Sequence, residues 1–156
     1  MSFNLNQPPT PPSSSYYTSS TFNEAVNDSQ LVRTFSIIAV LGSAIIFIGG
    51  AVAIGVGAAV IGLGGTKYYR ILGIAIIVLA VLSYFIGPLR ILASAVLSGG
   101  VMWKGFEILS TLAAEGKGDP DWQPTRERAL LGIVLSGVGL VVNAGWLTII
   151  LLGIVL

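Results

Sequence analysis

Residues able to carry chemistry are few in this chain, and they lie far apart. It contains no histidine and no cysteine, which removes the usual proton shuttle, the thiolate nucleophile and the Cys/His metal centre. Within the long apolar stretches the ionisable side chains are Lys104 and Glu107, three positions apart. That spacing puts both on one helical face, where they can pair, and both can snorkel to an interface if the segment enters the membrane near Arg90. Trp103 beside them suits the same depth. The expected arrangement is an interfacial ion pair rather than a catalytic or transport site. Asn143 is the one amide deep in an apolar run, and it is expected to hydrogen-bond to a neighbouring helix as a structural clamp. No phosphate-binding loop ending in Gly-Lys-Ser/Thr is present. No catalytic residue, no cofactor and no metal are therefore expected.

The elements that must position these residues follow from composition. Of 156 residues, 54% are hydrophobic and only 10% charged, and the mean hydropathy is +0.87. A soluble domain carries about 25% charged residues, so this chain has too little charge to cover a water-soluble globule. A net charge of +1 gives no basic face for nucleic acid. The composition implies an all-α, polytopic helical membrane protein whose partners are membrane lipids, further copies of itself or other membrane subunits.

Charged residues divide the chain. Residues 1–30 are rich in Ser, Thr, Asn and Pro, with no charge before Glu24 and no basic residue before Arg33. They lack the basic, then apolar, layout of a secretory signal and read as a polar tail that cannot fold alone, ahead of a transmembrane domain at 31–156. Four spans are expected, near 33–62, 69–87, 89–114 and 126–155. Gly62-Leu63-Gly64-Gly65 breaks the first, for which two re-entrant pieces are the alternative. Lys67, Tyr68, Tyr69 and Arg70 form an interfacial anchor, with tyrosine rings suited to half-wet positions. Gly87-Pro88 ends the second span. The third has an alternative as an amphipathic helix lying in the interface. With four crossings, Lys67, Arg70, Lys117, Arg126 and Arg128 share one side and Arg33 and Arg90 the other. Positive-inside bias then places both termini outside.

Small residues recur at helical spacing. Gly49, Ala53 and Gly57 form one series, and Ala51, Gly55 and Ala59 another. In the last span Gly132 and Ser136, then Gly139 and Asn143, are each four apart. Lipid is as apolar as leucine, so helices in a bilayer associate through close backbone approach at such faces. These positions are expected to be a helix-packing interface, within the bundle or between subunits.

One resemblance is carried by Tyr84-Phe85-Ile86-Gly87-Pro88, Arg90, Gly99-Gly100 and Trp103. This stretch resembles the first helix of conjugative (type IV secretion) pilins, and 84–156 resembles their hydrophobic hairpin. The resemblance implies two helices joined by a short polar loop, assembling into lipid-containing tubes. It covers less than half of the chain, and the apolar runs before Gly87 have no counterpart in the minimal pilin. The expected function is a non-enzymatic structural or accessory subunit of a membrane assembly. The alternatives are a pilin-like filament subunit and a small channel or transporter.

Overall fold

The computed structural model describes residues 20–44, 50–115 and 119–155. They form five helices: α1 (Ser20–Ala44), α2 (Gly50–Gly64), α3 (Lys67–Leu82), α4 (Leu89–Ala114) and α5 (Trp122–Val155).

The breaks between helices have local causes. Gly65 takes φ of +64°, a left-handed conformation that glycine adopts without a Cβ penalty. Thr66 is extended immediately before α3, so α2 and α3 fold back on each other. After α3 the chain makes a series of tight turns, with Tyr84 N–H donating to Val81 O and Phe85 N–H to Leu82 O. Pro88 then precedes α4 at φ of −59°, where its missing N–H costs nothing and its ring is already near helical geometry. Pro124 sits in the first turn of α5 for the same reason. Just upstream, Asp119 Oδ1 accepts the Asp121 N–H at 2.8 Å, a side chain closing its own turn.

α1, α4 and α5 make the core. In α1 the buried residues include Phe22, Ala25, Ser29, Val32, Ser36, Ala39 and Ser43. In α5 they are Thr125, Ala129, Gly132, Ser136, Gly139 and Asn143. Both sets advance by alternating steps of three and four, the 3.5-residue seam of nearly aligned packed helices. α1 runs parallel to α5, since a Cβ on Gly132 would strike Val32 and one on Gly139 would approach the Ala39 carbonyl. α4 runs antiparallel to both, with Gly105 against Ile133 and Ser98 against Gly139. The α2–α3 hairpin closes where Gly57 and Gly73 meet backbone to backbone, and Leu72 of α3 covers Gly100 of α4.

Four expectations change. Two helices, α4 and α5, are long and apolar enough to cross a membrane, so four spans are not supported. The run 33–62 is divided between α1 and α2. Residues 20–30 are helical and packed rather than irregular tail, because Phe22, Ala25 and Ser29 continue the α1 seam. Arg33 lies at the Arg128 end of the bundle, not opposite it, because α1 and α5 are parallel.

Candidate functional site

The charges concentrate at one end of the bundle, where α4 turns back into α5. At its centre is Lys104, whose Nζ lies 3.1 Å from Asp28 Oδ2 on α1 and 3.2 Å from Glu107 Oε2 on α4. Lys104 and Asp28 are both buried, whereas the Glu107 side chain is 52% exposed. The ammonium also stands 5.5 Å from the centroid of the Tyr68 ring on α3, within cation–π range. Tyr68 Oη donates to the Gly100 carbonyl at 2.5 Å. One lysine thereby ties α1 and α3 to α4.

Burial raises the Asp28 carboxyl above the usual carboxylate range, outweighing the pull of Lys104; Glu24 and Glu107 add to the rise. Tyr69 is fully buried against Phe35, with ring centroids 5.6 Å apart. Its hydroxyl has no hydrogen-bond partner among the described residues. A small polar cavity of about 90 Å³ opens beside the cluster, lined by Thr21, Glu24, Asp28, Lys104, Glu107 and Thr111 among others. Around it, Thr21 Oγ1 donates to Glu115 Oε2 at 2.9 Å, and Trp122 Nε1 donates to the Leu112 carbonyl at 3.0 Å. These bonds fasten the ends of α1, α4 and α5 together.

The residues singled out in the sequence divide between several places. Lys104 and Glu107 pair, and Trp103 beside them is 68% exposed. Lys67 and Arg70 are exposed, Tyr68 is half-buried, and Tyr69 departs from the expected half-wet position because it fills the core under Gly64. Of the small residues in α2, Gly57 meets α3, Gly55 has open space where a Cβ would go, and Ala53 and Ala59 are half-buried. Gly49 and the side chain of Ala51 lie outside the described residues. Gly132, Ser136, Gly139 and Asn143 all face inward, within one chain. Asn143 Nδ2 donates to Ser94 Oγ on α4 at 3.1 Å and to the Gly139 carbonyl at 2.8 Å.

Asp28 is the residue that the sequence reading missed. Its signal was present: it sits beside the α1 seam at Ser29 and Val32. The polar composition around it concealed the periodicity. No family model matches the chain, and no curated protein or solved structure is significantly similar to it.

Among the described residues no group of His, Cys, Asp and Glu is arranged to hold a metal. Chemically, the cluster around Lys104 can hold helices in register. Its acids and base are already engaged with one another, and the most exposed member, Glu107, shares the same lysine.

Proposed function

We propose that this chain is a non-enzymatic integral membrane protein acting as a structural or accessory subunit of a membrane assembly. One observation supports the reading above others: along α5 the buried side chains are all small or polar and join it to its neighbours, while its large apolar side chains remain outside. Val134, Val138 and Val141 of α5 and Ile71, Ile74 and Val78 of α3 are all exposed. In water this would be an aggregating surface; in a bilayer or against a membrane partner it is the covered one.

The channel reading needed Lys104, Glu107 and Asn143 to share a cavity. Asn143 instead pairs with Ser94, which lies about 15 Å along α4 from Lys104 at ~1.5 Å per residue. The filament reading has one feature in its favour, the antiparallel hairpin of α4 and α5. Against it, α1 already packs along both helices of that hairpin.

Native purification from membranes in a mild detergent, with chemical crosslinking before extraction, tests the proposal. The expected result is a crosslinked band at a fixed ratio to other membrane subunits or to further copies of this chain. Recovery in the soluble fraction, or as an uncrosslinked monomer with an enzymatic activity, would overturn it. Filaments containing this chain and lipid would favour the pilin-like reading.

A further inference from the structure

A second cavity lies at the opposite end of the bundle from the Lys104 cluster. It measures about 210 Å³ and is bounded by α1, α2, α3 and α4, with Leu41, Val56, Ile76 and Leu97 among its walls and Arg90 and Ser94 on the α4 side. Its character is apolar apart from those two residues. It exceeds the ~150 Å³ of an apolar protein cavity that takes in benzene.

Arg90 is the only charged residue at this end among the described residues. Its Nε is enclosed and makes no hydrogen bond, and neither ion pair of the described residues involves it. A guanidinium never loses its charge, and a partly desolvated one without an anion is costly. Ser94 follows Arg90 by four residues and so shares its helix face. Its Oγ accepts from Asn143 Nδ2, which leaves the serine proton free to donate. A fixed cation and a fixed hydroxyl donor therefore stand together on the wall of an apolar space.

We propose that this cavity binds a single-chain anionic amphiphile, a fatty carboxylate. The carboxylate would lie on the Arg90 guanidinium and the Ser94 hydroxyl, and the chain would run inward between α1, α2 and α4. The space is larger than a benzene-sized cavity and lined almost wholly by apolar side chains, which suits one acyl chain near its head. Planar guanidinium and planar carboxylate match as a two-point pair. The proposal does not depend on the accessory-subunit reading, because it concerns a site within one chain.

The test uses the full chain in a neutral-headed detergent, stripped of native lipid, with decanoate as the probe. Decanol, with the same chain and no charge, is the control, and diacyl phosphatidylglycerol is a third arm. Binding is read by native mass spectrometry and by the shift in melting temperature. One decanoate per chain is expected, bound more tightly than decanol. Arg90→Gln should weaken decanoate about tenfold or more, the value of a charge-assisted pair, and leave decanol unchanged. Gly42 also lines the cavity, and a Cβ built there meets nothing within 4 Å. Gly42→Leu should therefore fill the space and abolish decanoate binding with the helix intact. If Gly42→Leu fails to fold, the decanoate-to-decanol contrast in Arg90→Gln decides alone. Equal binding of decanoate and decanol, no effect of Arg90→Gln, or binding of phosphatidylglycerol without decanoate would each overturn the proposal.

Discussion

Lys104 shows how much a single buried charge can determine. Its ammonium is out of water, so its two carboxylates carry unequal weight: Asp28 is buried with it and Glu107 is half in solvent. Removing one member of a buried pair costs about 3–5 kcal/mol, since the other is left uncompensated. Lys104→Met should therefore destabilise the chain by about 3 kcal/mol in detergent unfolding, and the double change with Asp28→Leu should restore most of it. Additive effects would contradict the pairing. Glu107→Gln should cost less than about 1 kcal/mol, as exposed pairs do. The raised Asp28 carboxyl also gives a pH dependence with a definite sign. Between the ordinary carboxylate value and the higher folded one, Asp28 is protonated when folded and ionised when unfolded. Its contribution is thus fully present below the ordinary value and declines as pH rises through the folded one. Unfolding measured across that acidic window should show this slope in the native chain, and Asp28→Asn should flatten it.

At the scale of elements, the sequence was most readable where polarity and periodicity agreed. The α5 seam of Gly132, Ser136, Gly139 and Asn143 stood out because it interrupts an otherwise large and apolar run. The same seam in α1 did not, because Asn23, Glu24, Asn27 and Gln30 made the first turns resemble a tail. Those polar residues are exposed, and Phe22, Ala25, Ser29 and Val32 between them carry the packing. The charge-free run 34–66 could not show by itself where it divides, since apolar residues suit a long span and two shorter helices alike. The α2–α3 hairpin depends on glycine. A Cβ on Gly73 would lie 2.6 Å from the Gly57 carbonyl and 2.5 Å from Ile61 Cγ1, closer than atoms approach. Gly73→Ala should force the two helices apart and cost about 1–3 kcal/mol, whereas Gly55→Ala, which meets nothing within 4 Å, should be neutral or slightly stabilising. Thermal unfolding of the two variants side by side checks this, and equal effects would contradict the close approach.

The whole molecule is polarised along its axis. Asp28, Lys104, Glu107, Arg126 and Arg128 gather towards the α4–α5 turn, and among the described residues Arg90 is the one charge at the other end. From Arg128 the apolar part of α5 runs roughly 40 Å at ~1.5 Å per residue, more than the ~30 Å hydrocarbon core. The level of Arg90, near Thr148 by the pairing of Ser94 with Asn143, falls about one core thickness from Arg128. On this account the two charged levels bracket the bilayer, with α4 and α5 joining them. Because the chain has no native cysteine, single cysteines can report each level without background. The most direct measurement places one at Gln123, beside the α4–α5 turn, and another at Tyr84, exposed in the turn before α4, and labels sealed vesicles with a membrane-impermeant thiol reagent. The account predicts that one position reacts in intact vesicles and the other only after permeabilisation. Labelling of both positions from the same side, or loss of the protein from the membranes on alkaline washing, would contradict it.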